Sequence, residues 1–216
     1  MADRSHTPLL PFNSFKKAAI LMIGATAIFF VYEFVLTYFI WSEEAYGPYY
    51  WQYRVPLIIH IAGGLIALLS GLFQLWTGLS ATNMNVHPTT GKIYLTGVAI
   101  GASGAFILSV TSSIFGPTFG VGLFCMALVW VSTSALAVFC IRKRKIRLHK
   151  QWMIRSYIVT FAFITFRIFT DYLPYEDWWG LTRPEISNAT IWVSWAMPLI
   201  AYEIYIQFRE VKATIP

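Results

Sequence analysis

The chain has 216 residues, of which 57% are hydrophobic and only 12% are charged, and its mean hydropathy is +0.59. Soluble domains contain about 45–50% apolar and roughly 25% charged residues, so a soluble fold of this size could not bury so much apolar surface. Six membrane spans of about 20 residues each need roughly 120 residues, which leaves no room for a nucleotide-binding domain.

Six apolar stretches follow one another along the chain, separated by an acidic and aromatic segment (41–54), a turn-rich segment (80–92) and a basic segment (142–150). Because a lipid-exposed backbone must satisfy its own hydrogen bonds, the sequence predicts an all-α transmembrane bundle of six helices. In chain order the predicted spans are Ala18–Ile40, Val55–Leu79, Ile93–Ser113, Phe119–Ile141, Gln151–Tyr172 and Thr190–Phe208.

The charges outside the spans predict the orientation of the bundle. Basic residues collect at one end and acidic residues at the other, and the positive-inside rule then places both chain termini in the cytoplasm. Residues 1–17 are therefore a cytoplasmic segment, 18–208 the six-span domain and 209–216 a cytoplasmic tail. The net charge of +6 suits contact with lipid head groups and argues against binding to nucleic acid.

Four ionisable side chains are predicted to share a layer in the outer third of the membrane. Glu33 lies about 22 Å along the first span, and Arg167 reaches a similar height in the fifth. His60 lies near the outer start of the second span, and Asp171 follows Arg167 by one helical turn. The four residues form either a structural ion pair with a hydrogen-bonded histidine or a proton or ligand site in which His60 titrates near neutrality.

Two histidines open two different spans at the predicted cytoplasmic end. His87 precedes Pro88 and is predicted to cap the third span, and His149 opens the fifth. Gln74 reaches the same depth from the second span. Two imidazoles that face each other would provide both axial ligands of one six-coordinate haem b. The basic side chains that could meet the haem propionates are Lys92, Arg147, Lys150 and Arg155. The alternative interpretation is that the histidines cap helices or contact lipid phosphate.

The order of these motifs resembles the DUF2306 family of uncharacterised bacterial multi-pass membrane proteins. The resemblance covers roughly residues 60–167 and rests on His60 and its glycine-rich helix, Gln74, His87-Pro88, the GKIY turn at 91–94, His149, Trp152, Met153, Arg155 and Arg167. It implies a protein of the bacterial inner membrane and no particular activity. The family often has a basic residue directly after the loop histidine, where this chain has Pro88.

The histidine-bearing bundle is also loosely similar to membrane haem proteins of the cytochrome b561 type. It lacks their usual four intramembrane histidines, so at most one haem could take two histidine ligands. The two cysteines form neither a CxxC motif nor a zinc-binding spacing, and they read as small apolar residues.

Three hypotheses from different classes follow. The protein is a haem-binding or redox-associated membrane protein, a non-catalytic accessory subunit of a larger membrane complex, or a proton-coupled carrier that uses the outer ionisable layer. Small residues repeat every four positions on the second and third spans, which suits either packing inside the bundle or contact with a flat ligand or a partner helix. These residues are Gly63, Ala67, Gly71, Gly97, Gly101 and Ala105.

Overall fold

The structure is a computed structural model and describes residues 14–111 and 116–214. Within these two ranges every regular element is helical. A π-helical turn at Val31–Val35 and a 3₁₀ turn at Leu36–Phe39 continue the first helix. The α-helices are α1 Ser14–Phe30, α2 Glu43–Trp51, α3 Arg54–Ser80, α4 His87–Thr111, α5 Pro117–Arg142, α6 Ile146–Tyr172, α7 Tyr175–Trp179 and α8 Arg183–Thr214.

Six helical stretches are long and apolar enough to cross a membrane, which confirms the predicted fold class. Several helices extend beyond the predicted spans. The third spanning helix starts at His87 instead of Ile93, and the fifth starts at Ile146 instead of Gln151. The prediction followed hydropathy, whereas the first turn of a spanning helix can carry polar residues outside the hydrocarbon. The predicted end of the third span, at Ser113, lies outside the described residues.

Four helices form the centre of the bundle. Helix α3 packs on α4, α4 on α5, α5 on α6, and α6 returns to α3. Consequently α4 and α6 lie on one diagonal of a four-helix arrangement. Helix α8 packs outside against α6 and α5, while α1 lies against α3 and α6. Short connections join the spans, so that each runs antiparallel to the next.

Glycines bring α3 and α4 into backbone contact. A Cβ atom at Gly63 would overlap the backbone of Gly101, and one at Gly104 would lie 2.5 Å from the backbone nitrogen of His60. Only glycine permits such an approach, and close packing of this kind is how helices associate in lipid. At these positions the predicted small-residue faces of α3 and α4 therefore pack against each other inside the bundle.

A buried polar network crosses the middle of the bundle. The hydroxyl of Tyr94 on α4 lies 2.6 Å from that of Ser156 and 2.9 Å from that of Thr160, both on α6. From α5, Trp130 Nε1 donates to Thr160 Oγ1 at 2.8 Å, and Ser134 lies 2.7 Å from Ser156. In a medium without water these mutual hydrogen bonds remove the penalty of burying hydroxyl groups, and they fix the register of three helices.

Candidate functional site

The two ends of the bundle carry different side chains. The connections around residues 80–87 and 142–150 form one end, called the basic end here, and the segments 41–53 and 173–182 form the opposite end, called the aromatic end. The sequence predicts the basic end to be cytoplasmic. Of the two groups of ionisable residues anticipated from the sequence, one is expected at the basic end and the other toward the aromatic end.

His87 is held by two side chains of α3. Its Nδ1 atom lies 2.7 Å from Thr77 Oγ1, and the Thr77 hydroxyl itself lies 3.0 Å from the carbonyl oxygen of Phe73. A hydroxyl can donate and accept, so the Thr77 oxygen can take a hydrogen bond from His87 Nδ1–H while its own proton goes to the Phe73 carbonyl. Gln74 Nε2 donates to the His87 carbonyl at 2.6 Å and to the hydroxyl of Thr90. Gln74 therefore supports the start of α4.

His149 is oriented by a backbone carbonyl. Its Nδ1 atom lies 2.9 Å from the carbonyl oxygen of Ala137 on α5. Since a carbonyl oxygen can only accept, this nitrogen carries the proton, and Nε2 of the neutral ring keeps its lone pair. His149 is half-buried, as is His87. Both imidazoles thus share the arrangement in which Nδ1 is engaged and Nε2 can act as a ligand.

The two histidines begin α4 and α6, the two helices on one diagonal of the bundle. His87 precedes Tyr94 by seven residues, and His149 precedes Ser156 by seven. Seven residues are almost two full helical turns, so each histidine lies on the same face of its helix as the residue one heptad later. Because Tyr94 and Ser156 are in contact, the histidine faces converge one heptad nearer the basic end.

The four cations anticipated near these histidines are not equivalent. Arg155 makes a two-pronged ion pair with Glu203 on α8, with Nε–Oε1 at 2.5 Å and Nη2–Oε2 at 2.8 Å. Arg147 pairs with Glu210, its Nη1 lying 3.5 Å from Oε1. Lys92 is exposed and Lys150 half-buried, and neither forms an ion pair with another described residue.

The cation anticipated at the opposite end, Arg167, lies in a loose ion-pair arrangement. Its Nη1 is 3.4 Å from Asp171 Oδ2, and its Nη2 is 3.4 Å from Tyr38 Oη. Asp171 makes its shorter contact, 2.7 Å, with Arg183 Nη1. Glu33 is exposed on the π-helical turn, and no ion pair joins it to Arg167 within the described ranges. The structure therefore does not assemble the anticipated cluster completely.

His60 lies in the same half of the bundle as Arg167. Its Nδ1–H donates to the carbonyl oxygen of Gly101 at 2.8 Å, and its ring stacks on Phe163 with 4.6 Å between centroids. His60 and Arg167 line one cavity of about 160 Å³. One ring nitrogen of His60 is thus held by a hydrogen bond, and the side chain also borders the cavity.

The walls of this cavity are mostly apolar and aromatic. They include Phe30, Phe34, Phe119, Phe163 and Phe166. Its polar groups come from Tyr38, Tyr50, Tyr53, His60 and Arg167.

The sequence predicts a role for His60 and Arg167, because ionisable side chains are costly to place inside a membrane and usually serve a function there. Sequence reasoning did not single out Tyr38, and it interpreted Tyr50 as an interfacial anchor more readily than as part of a lid over the outer end of the bundle. Tyr38, at the end of the first span, and Tyr50, on α2, both reach the wall of the cavity only in the folded structure.

A family model described as "Predicted membrane protein (DUF2306)" matches residues 57–206, more than half of the chain. No curated protein and no solved structure matches the chain. The matched region runs from α3 into α8. It therefore includes both histidines of the basic end, together with His60 and Arg167.

Proposed function

The chain belongs to the DUF2306 family of predicted membrane proteins, and from that premise we propose that it binds one haem b and transfers electrons in the bacterial inner membrane. His87 and His149, at the basic end that is predicted to face the cytoplasm, would supply the two protein ligands of the haem iron. The observation that carries the proposal is the heptad relationship of these histidines to Tyr94 and Ser156, which are in direct contact.

The donor set favours haem over a bare metal ion. A haem supplies four nitrogen ligands of its own, so two imidazoles complete the coordination of its iron. A bare transition metal normally takes three or four protein ligands. The described residues contain no cluster of three or more His, Cys, Asp and Glu that could hold a metal ion. Two histidines are therefore the number of protein ligands that a haem iron needs, and fewer than a bare metal ion normally takes.

Neighbouring groups orient the imidazole rings of both histidines. The Ala137 carbonyl accepts the Nδ1 proton of His149, and the Thr77 hydroxyl pairs with Nδ1 of His87. These bonds orient both rings, and with the proton on Nδ1 each Nε2 would be available to bind iron. Lys92 and Lys150, which lie near this end without an ion pair to another described residue, are the cations that would meet the propionates. A bound haem would supply a one-electron redox centre.

Absorption spectroscopy tests the proposal. The full chain is expressed with ample haem precursor, purified in detergent, and measured in oxidised and dithionite-reduced forms. We expect a Soret band that shifts on reduction, and we expect His87→Ala and His149→Ala each to lose it. His60→Gln is the matched control and should keep the band, because His60 lies in the other half of the bundle.

A second readout separates haem ligation from protein stability. Apoprotein prepared without haem is titrated with hemin, and the folded fraction is followed by size-exclusion chromatography. Folded wild type that takes up no hemin, or His87→Ala protein that binds it as well as wild type, contradicts the proposal. Stable co-purification with a partner and no chromophore would favour an accessory subunit. The carrier hypothesis has less support, because Glu33 lies apart from the Arg167 ion pair.

A further inference from the structure

The cavity at the aromatic end has the size of a single ring. Its volume is about 160 Å³, and a dry apolar cavity of about 150 Å³ is large enough to bind benzene. Phenylalanine side chains supply much of its wall, including Phe34, Phe163 and Phe166. Aromatic walls favour a flat apolar body through edge-to-face and offset contacts.

The charge at the edge of the cavity is incompletely compensated. Arg167 has five N–H donors, yet its contacts to Asp171 and Tyr38 are both 3.4 Å long. Asp171 is shared with Arg183, to which it lies closer. The group of two arginines and one aspartate therefore carries a net positive charge. The Arg167 side chain keeps 29% of its surface accessible and lines the cavity.

Two phenols add donors beside this arginine. Tyr38 Oη accepts from Arg167, so its own O–H is left to donate. Tyr50 also lines the cavity, and burial raises the pKa of its phenol, which therefore keeps its proton at neutral pH. Guanidinium and phenol groups both donate hydrogen bonds. Together they complement a negatively charged group that has two acceptor oxygens.

We propose that this cavity binds a small aromatic carboxylate, with its ring between the phenylalanines and its carboxylate on Arg167 and Tyr38. The site is separate from the haem site, because it lies in the other half of the bundle and uses none of the same residues. The first span contributes Phe30, Phe34 and Tyr38 to it, so residues outside the family match shape this ligand site.

Calorimetric titration of the full chain in lipid nanodiscs tests the proposal, with benzoate as the probe. Benzamide is the matched neutral ligand, because it keeps the ring and loses the charge. We expect benzoate to bind about tenfold more tightly than benzamide, as charge-assisted hydrogen bonds are worth more than neutral ones. Tetramethyl-1,4-benzoquinone provides a neutral ring with two acceptor oxygens, and it is expected to bind more weakly than benzoate.

Variants assign the binding to Arg167. Arg167→Gln should weaken benzoate binding by about tenfold or more and leave benzamide binding nearly unchanged. Arg54→Gln is the matched control, since Arg54 lies at the same end but stacks on Trp51, 4.5 Å from the ring centroid. Tyr38→Phe removes one hydroxyl and should weaken benzoate binding by about threefold, which tests the site even if Arg167→Gln does not fold.

Three results would overturn this inference. They are the absence of benzoate binding to folded wild type, tighter binding of the quinone than of benzoate, and unchanged benzoate affinity in both Arg167→Gln and Tyr38→Phe. Haem absorption is measured on the same samples. Loss of benzoate binding with an intact Soret band, or the reverse, shows which of the two proposals has failed.

Discussion

The Tyr94 hydroxyl lies 2.6 Å from the Ser156 hydroxyl, and this hydrogen bond joins the two helices that face each other diagonally in the central bundle. A long side chain on α4 meets a short one on α6 at this level. The contact sets the relative rotation of both helices, and thereby the direction in which His87 and His149 point one heptad nearer the basic end.

Tyr94→Phe should destabilise the bundle by about 1–2 kcal/mol. The change removes hydrogen bonds to Ser156 and Thr160 and leaves both hydroxyls fewer partners in a region without water. The free energy of unfolding is measured by titration with sodium dodecyl sulfate in mixed micelles. Tyr205→Phe, at a side chain that is 47% exposed, is the matched control and should change stability by less than about 0.5 kcal/mol. Equal effects of the two changes would contradict a structural role for the network.

Glu203→Gln should destabilise the contact between α6 and α8 by about 1–2 kcal/mol. The side chain of Arg155 is only 10% exposed, and the change leaves its guanidinium without a compensating negative charge. The comparison is Glu210→Gln, seven residues later on the same helix. Its ion pair with Arg147 is long and exposed, so it should contribute less than about 1 kcal/mol. The same unfolding titration provides both values, and the prediction fails if Glu210→Gln has the larger effect.

Gly63→Leu should prevent correct packing of α3 on α4, at a cost of more than about 3 kcal/mol. A side chain at this position would overlap the backbone of Gly101, and a backbone cannot move aside as a flexible side chain can. Size-exclusion chromatography of the purified variant should show aggregated or absent protein. Leu69→Ala, on the exposed side of the same helix, should remain monodisperse. A monodisperse Gly63→Leu protein with wild-type stability would show that the two helices do not meet at this point.

Cysteine labelling of intact cells tests the predicted orientation. In a background where Cys125 and Cys140 are replaced by alanine, Asp177→Cys should react with a membrane-impermeant maleimide added outside. Lys145→Cys should react only after the membrane is permeabilised, because the basic connection between α5 and α6 is predicted to face the cytoplasm. Labelling of Lys145→Cys alone in intact cells would invert the orientation and place the proposed haem site on the outer side.

The number and approximate position of the spanning helices could be predicted from hydropathy, because the cost of placing polar groups in lipid acts on each segment separately. The start of α4 at His87 was displaced from the predicted Ile93, since polar first turns are tolerated outside the hydrocarbon. The depths predicted for His60, Arg167, His87 and His149 rest on residue counts along the helices.

Sequence alone determined which segments enter the membrane, which family the motifs resemble and which ionisable residues require an explanation. Tertiary structure decided which of those residues meet. It separated Glu33 from Arg167, paired Arg155 with Glu203, and added Tyr38 to the wall of the cavity beside Arg167. Hydropathy reports the preference of each residue for lipid or water, whereas side-chain contacts depend on how each helix is rotated about its axis. That rotation is set by contacts between helices, such as those of Gly63 and Tyr94, which are distant in sequence from the residues they position.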